Sequence, residues 1–138
     1  MPIVNITQRD LLRGRIVTPD WYRVRVDEIG EKTAKSGTSQ NYPVEGTILF
    51  NATTGSKEFA NVPTPNGWLF NEQAMGFAVG FLEACGAAVP ATGGRFELGD
   101  AVGKEIDVYI ENGTWDGRTV NKINHKYRKP SADDAVPA

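Results

Sequence analysis

The sequence contains a single cysteine and a single histidine among its 138 residues. One cysteine cannot form an internal disulfide, and the two residues together cannot supply the usual ligand set of a zinc site. The sequence also has no apolar run long enough to cross a bilayer, and no basic segment followed by an apolar core at its start. We therefore expect a soluble, cytoplasmic protein with no membrane partner and no cofactor or metal.

Groups able to carry catalysis are equally few. Cys85 falls on the apolar side of a predicted helix, where a buried and unreactive thiol is the plain interpretation. Glu105 and Asp107 share one face of a predicted strand. With Asp100 or Glu111 nearby they could hold Mg²⁺ in a nuclease, although the lysine that would assist such a site is missing from that strand. We expect that the protein is not an enzyme and keep this nuclease as an alternative.

The net charge of −2 conceals an uneven distribution of charged residues. Residues 1–26 carry a net charge of +3 and residues 112–129 carry +4, whereas residues 27–111 carry −7. An acidic protein is a poor general binder of polyanions, since neutralisation of phosphates supplies much of such affinity. If the first and last strands lay side by side, however, the two basic segments would share one surface.

Alternating apolar and polar residues predict five strands. The first begins at Trp21 and directs Tyr22, and the two valines that follow at alternate positions, toward the core. The second runs from Gln40 to Phe50, with Gly46 at a bulge or sharp bend. The other three are Lys57 to Val62, then Lys104 to Glu111 with Ile106, Val108 and Ile110 inward, then Arg118 to about Tyr127 after a hairpin loop at 112–117.

One amphipathic helix is predicted between the third and fourth strands. Asn71 is a suitable N-cap and Gly86 a natural stop. Between them apolar residues recur at helical spacing, namely Ala74, Phe77, Ala78, Phe81, Leu82 and Cys85.

Three strands, a helix and a two-stranded hairpin follow one another in an OB-fold, a small five-stranded barrel that often binds single-stranded nucleic acids. We therefore predict a mainly β protein with one α-helix between strands 3 and 4. Residues 19–129 form the OB-fold domain, residues 1–18 an N-terminal arm and residues 130–138 a disordered tail.

Proteins bind single strands by stacking bases on aromatic rings and by following the phosphates with lysine and arginine. The predicted first strand turns Trp21, Arg23 and Arg25 toward solvent, and Tyr109 lies out of phase with the core residues of the fourth strand. The candidate nucleic-acid-binding residues are Trp21, Arg23, Arg25, Lys35, Tyr109, Trp115, Lys122 and Lys126.

Each candidate also has a plain interpretation. The arm could cover Trp21, and the arginines and lysines could be ordinary solvated cations. Trp115 could pack against its own hairpin. Asp107 and Glu111, which share the phase of Tyr109, make the same surface less attractive to phosphate.

Five short segments between residues 20 and 128 follow one another in the order seen in a known protein family. They are Tyr22-Arg23-Val24-Arg25-Val26, Lys35-Ser36-Gly37, Leu82-Glu83-Ala84-Cys85-Gly86, Val102-Gly103-Lys104-Glu105-Ile106 and Gly117-Arg118-x-x-Asn121. In these segments the sequence resembles the bacteriophage-type single-stranded DNA-binding proteins. The resemblance implies an OB-fold that coats and protects single-stranded DNA during DNA replication or recombination, in the cytoplasm of the host cell and without a cofactor. It also implies contacts with replication or recombination proteins, although only Asp133 and Asp134 represent the acidic tail common in such groups.

Two further possibilities remain open. The same fold could serve as a protein-binding or oligosaccharide-binding module, because a fold does not fix its ligand. An exposed strand edge could also pair with a second copy to give a homodimer.

Overall fold

The computed structural model describes residues 3–13, 15–35, 37 and 39–130. Nearly all of the predicted tail at 130–138 therefore lies outside the described residues. The strands are β1 (Asp20–Ile29), β2 (Lys32–Thr33), β3 (Gln40–Asn51), β4 (Leu69–Asn71), β5 (Glu105–Trp115) and β6 (Arg118–Arg128), and the helices are α1 (Gln8–Arg13) and α2 (Gly76–Ala84). No helix in this part of the chain combines the length and apolarity that crossing a bilayer would require.

The strands form one antiparallel sheet in the order β2-β3-β1-β5-β6, and β4 pairs with β3 off this path. The fold is thus mainly β, as predicted. The sheet is not closed, because no backbone pairing joins β4 to β6 among the described residues.

Aromatic side chains fill the gap that the backbone leaves between β4 and β6. The indole Nε1 of Trp68, one residue before β4, donates a hydrogen bond of 2.7 Å to the hydroxyl of Tyr127 in β6. The rings of Phe70 and Tyr127 lie 6.2 Å apart, and Phe81 of α2 contacts both. Helix α2 and these rings therefore join the two ends of the sheet by side-chain packing.

The alternation predicted for the central strands is confirmed. Tyr22, Val24 and Val26 of β1 are fully buried, as are Ile106, Val108 and Ile110 of β5. These residues line one face of two neighbouring strands, so that β1 and β5 form the centre of the core. The predicted loop at 112–117 is shorter than expected, since only Asp116 and Gly117 separate β5 from β6.

The predicted irregularity at Gly46 is also confirmed. Val26 pairs with Gly46 but Glu28 pairs with Glu45, so Asp27 is an extra residue on β1. A Cβ atom at Gly46 would lie 2.6 Å from the carbonyl oxygen of Arg25. Glycine therefore permits a close approach of two backbones beside a β-bulge.

The prediction of a third strand over Lys57 to Val62 is wrong. Ala60 donates to the carbonyl of Lys57, and Asn61 has a φ of 70°, so the chain turns here instead of extending. The segment returns Phe59 to the core, where its ring meets Tyr22 edge-on at 6.2 Å. The next strand after β3 is the three-residue β4, which begins two residues after Gly67 and pairs with β3.

The helix ends as predicted but begins later than predicted, at Gly76. The side chain of Asn71 accepts a hydrogen bond from the backbone of Gln73, but it caps a 3₁₀ turn (Glu72–Ala74) that precedes α2. Gly86 has a φ of 97°, in the left-handed region that ends many helices. Ala78, Phe81 and Leu82 are buried as expected, whereas Phe77 is exposed and stacks on His125 at 4.9 Å.

We expect Gly46→Val to destabilise the fold by about 1 to 3 kcal/mol, because its Cβ would overlap the Arg25 carbonyl and force the two backbones apart. Urea unfolding measures the change. Gly99→Ala is the matched control, since a Cβ there meets nothing within 4 Å. Equal stability of the two variants would contradict this role of Gly46.

His125 predicts a specific pH dependence of stability. Burial lowers the pKa of His125, which lies in a β6 bulge with a φ of 55°. The unfolded chain therefore binds a proton that the folded chain does not, and stability falls as the pH drops through the ordinary imidazole range near about 6.5. His125→Asn, a residue that tolerates positive φ, should flatten the slope of unfolding free energy between about pH 7.5 and 5.5. If the wild type and His125→Asn show the same slope of unfolding free energy against pH, His125 is not the source of the pH dependence.

Candidate nucleic-acid interface

The cross-strand register gathers most of the predicted residues on one face of β1, β5 and β6. Trp21 lies opposite Tyr109, Arg23 lies opposite Asp107, and Asp107 in turn lies opposite Arg128. These positions alternate with the core residues, so they point away from the core. We call this group the outer-face cluster; its members are Trp21, Arg23, Asp107, Tyr109, Glu111, Lys122, Lys126 and Arg128.

At the centre of the outer-face cluster lies a buried carboxylate. Asp107 is fully buried, and its two oxygens accept from the Nε of Arg23 at 2.6 Å and the Nε of Arg128 at 3.2 Å. Arg23 is itself only 6% exposed, with its guanidinium 5.1 Å from the ring centre of Phe50. The prediction that Arg23 and Asp107 face solvent is therefore wrong, because the two side chains form an ion pair that is buried. Arg23 has little surface left for a phosphate.

Two aromatic rings lie beside this ion pair. Trp21 and Tyr109 meet edge to face with ring centres 5.6 Å apart. The guanidinium carbon of Arg128 lies 4.5 Å from the centre of the Trp21 ring, and the ammonium of Lys126 lies 5.3 Å from that of Tyr109. Each ring thus has its own cation. Trp21 is half-buried by Arg128 and Tyr109.

The two lysines of the outer-face cluster share one carboxylate. Lys122 and Lys126 each place the ammonium 3.9 Å from a different oxygen of Glu111, and both lysine side chains are more than half exposed. Ion pairs that are this long and exposed contribute little free energy. The cluster holds four cations and two carboxylates, so it carries a net charge of +2 in a protein whose overall charge is −2.

The structure corrects the expected placement of the first and last strands. They are not neighbours, because β5 lies between β1 and β6. Their side chains nevertheless meet, since Arg128 of β6 reaches across Asp107 of β5 to the ring of Trp21 on β1. The predicted surface is therefore three strands wide instead of two.

The other predicted residues lie outside the outer-face cluster. Arg25 is exposed on the same face of β1, but its Nε donates to Asp27 at 2.7 Å. Lys35 is exposed in the connection between β2 and β3, at the opposite edge of the sheet from β6. Trp115 is 71% exposed at the tip of the β5–β6 hairpin, where it borders a separate cavity.

The predicted site residues do not include Arg128, although it belongs to the basic segment at 112–129. Alternation along β6 already places Arg128 on the same face as Lys122 and Lys126. The bulge between Ile123 and Tyr127 sets Arg128, instead of Lys126, opposite Asp107, and alternation alone does not reveal that register.

The described residues offer little to the alternative of a metal-dependent nuclease. Among them no three His, Cys, Asp or Glu side chains come close enough together to hold a metal ion. Asp107, the central acid of that hypothesis, is engaged by two arginines. Burial also raises the pKa of the Cys85 thiol to about 11, which keeps it protonated and weakly nucleophilic near neutral pH.

The sequence matches no protein-family model, and a search of curated proteins gave no match. The geometry of the outer-face cluster therefore carries the functional interpretation.

We expect Asp107→Asn to destabilise the protein by about 3 to 5 kcal/mol, because the buried Arg23 and the adjacent Arg128 would lose their shared counter-charge. Chemical unfolding at neutral pH measures the effect. Glu105→Gln, two residues earlier on the same strand face and exposed, is the control and should change stability by no more than about 0.5 kcal/mol. A small effect at Asp107 would show that the ion pairs do not support the outer face.

Proposed function

We propose that the protein binds single-stranded DNA with little sequence preference, and that it coats and protects the strand during phage DNA replication or recombination. The supporting observation is that each aromatic ring of the outer-face cluster lies against a cation, Trp21 against Arg128 and Tyr109 against Lys126. Stacking surfaces and cations are the two components that sequence-tolerant single-strand binding requires. Replication or recombination proteins of the host cytoplasm would be the further partners.

In this proposal the bases stack on the Trp21 and Tyr109 side of the outer-face cluster. The planar guanidinium of Arg128 already covers one ring, and bases stack on arginine planes as well as on aromatic rings. Each stacked base contributes about 1 to 3 kcal/mol. Because Asp107 holds Arg128 in place, the stacking surface exists before DNA arrives.

The lysines would contact the phosphates. Lys122 and Lys126 interact with Glu111 only at 3.9 Å, so exchanging that carboxylate for a phosphate costs little. Glu111 keeps the two ammonium groups on the same face in the absence of DNA. The DNA strand would then run along β6, past both lysines.

We further propose that the fold is an OB-fold whose barrel is open. The chain order β1, β3, β4, α2, β5 and β6 is the OB-fold order, with β2 as an addition in the first connection. The pairing of β1 with both β3 and β5 fits that topology. The aromatic contacts between Trp68, Phe70 and Tyr127 stand where the last pair of barrel strands would meet.

A protein-binding or oligosaccharide-binding role on the same fold is the main rival. Rings such as Trp21 and Tyr109 also stack on sugars. The surplus of cations in the outer-face cluster favours a polyanion over a neutral sugar.

Titration with poly-dT should quench the fluorescence of Trp21, and duplex DNA of the same length should bind more weakly. Trp21→Phe should lose most of the quenching. Lys122→Gln and Lys126→Gln should each weaken binding and make the plot of log affinity against log salt shallower by about 0.7, the value for one phosphate contact on a single strand.

Arg95→Gln is the control for these lysine variants, because it removes an exposed cation in the connection between α2 and β5, away from the outer-face cluster. It should leave the salt slope unchanged. Fluorescence that does not respond to poly-dT at low salt would refute the proposed function. Equal slopes for the control and the lysine variants would refute the assigned surface.

A further inference from the structure

The N-terminal arm carries a row of unburied apolar side chains. Ile3, Val4, Ile6 and Leu11 are between 67% and 92% exposed. Among the described apolar side chains before Arg15, Leu12 is the one that packs against the core. The arm is tied to the fold at Val17, whose backbone exchanges two hydrogen bonds with the side chain of Asn121 in β6. So many exposed aliphatic side chains in one short segment indicate a contact with another molecule.

A cavity of about 700 Å³ opens beside the point where the arm is tied down. It lies between residues 15–17, the loop at 62–67 and the β5–β6 hairpin. Its base reaches the buried residues Ile48, Val62 and Ile110, and the exposed indole of Trp115 forms part of its border. Its volume is in the range of pockets that bury a ligand. The described residues that line it include cations but no acid.

Strand β6 is the edge of the sheet next to this cavity. Within the described residues, its backbone pairs with β5 on one side and with no strand on the other. Helix α2 approaches the other side near Tyr127, where the ring meets Phe81 and lies under Gly80. Residues 118–122 border the cavity instead. Here the open edge offers backbone donors and acceptors to an added strand.

We propose that the segment Ile3–Thr7 of a second copy docks in this cavity along the edge of β6, and that the two copies exchange arms reciprocally. An extended segment places Val4 and Ile6 on the same side, so both side chains would enter the cavity together. The segment carries no charge, so the cations of the border do not repel it. Each copy supplies both an arm and a cavity, which is the self-complementarity that a two-fold dimer requires.

The apolar surface available fits a weak, reversible dimer. Burying a large aliphatic side chain removes on the order of 100 Å² of apolar surface from water. Val4, Ile6 and Trp115 therefore give roughly 300 Å² for each copy, and twice that for the pair before the cavity walls are counted. An interface of that size falls at the low end of specific interfaces, where complexes dissociate readily.

Light scattering of the full chain over a range of concentrations tests the proposal. We expect a dimer that dissociates on dilution. Ile6→Asp should weaken dimerisation by a factor on the order of 100 or more, because docking would bury a carboxylate. Val79→Asp, which changes a 38% exposed valine on α2, is the matched control and should leave the dimer intact. A wild-type chain that stays monomeric at all concentrations would overturn the proposal.

Cross-linking between copies tests the position of the arm. Both proteins carry Cys85→Ala; one has Ile6→Cys, and the other has Thr119→Cys, an exposed position bordering the cavity. Mixing them should give a disulfide-linked heterodimer in high yield. A third protein carries Ile6→Cys and Thr119→Cys in one chain, again with Cys85→Ala. If a cross-link forms only within this protein, as a monomer, the arm docks on its own chain and the exchange is overturned.

The inference does not rest on the proposed function. If the cavity instead holds part of a DNA strand, poly-dT should block labelling of the Thr119→Cys protein while the Ile6→Asp variant dimerises normally, and this would overturn the arm contact. If Ile6→Asp gives a monomer whose fluorescence is still quenched by poly-dT, both proposals stand. If the dimer forms and poly-dT has no effect on fluorescence, only the proposed function fails.

Discussion

The buried carboxylate of Asp107, held between Arg23 and Arg128, is the interaction on which the outer face depends. It joins three strands, since Arg23 is on β1, Asp107 on β5 and Arg128 on β6. Removing an ionised carboxylate from water costs several kcal/mol, so Asp107 is tolerable only with both partners in place. The same contacts fix the guanidinium of Arg128 over Trp21. One ion pair network therefore sets both the packing of the face and the position of its rings.

Local sequence signals were enough to predict the central elements. The alternation at Tyr22 to Val26 and at Ile106 to Ile110 reflects strands with one buried face, and the glycine at position 86 reflects a left-handed backbone. The third strand was misplaced because Phe59 and Val62 pack against the core from a turn and the residue that follows it, so their apolar character does not reflect a strand. The true β4 has three residues, too few to show any alternation.

The candidate site was predicted only in part, for a reason of register. Trp21, Tyr109, Lys122 and Lys126 could be assigned to one surface because each is out of phase with its own strand's core. The burial of Arg23 could not be predicted from the sequence, because its partner Asp107 is 84 residues away and the pairing of β1 with β5 is what brings the two together. Arg128 lies opposite Asp107 because of the bulge around His125, and no local pattern predicts that pairing.

The arginines and lysines of the outer-face cluster differ in how freely they can change partners. Arg23 and Arg128 bind a carboxylate that water does not reach, so they stay in place and hold the rings. Lys122 and Lys126 share Glu111 at 3.9 Å in solvent, where the attraction is weak and screened by salt. In the proposed function this division explains how a protein of net charge −2 can bind a polyanion. Its fixed cations shape a stacking surface, and its loosely held cations exchange one carboxylate for the phosphates of the strand.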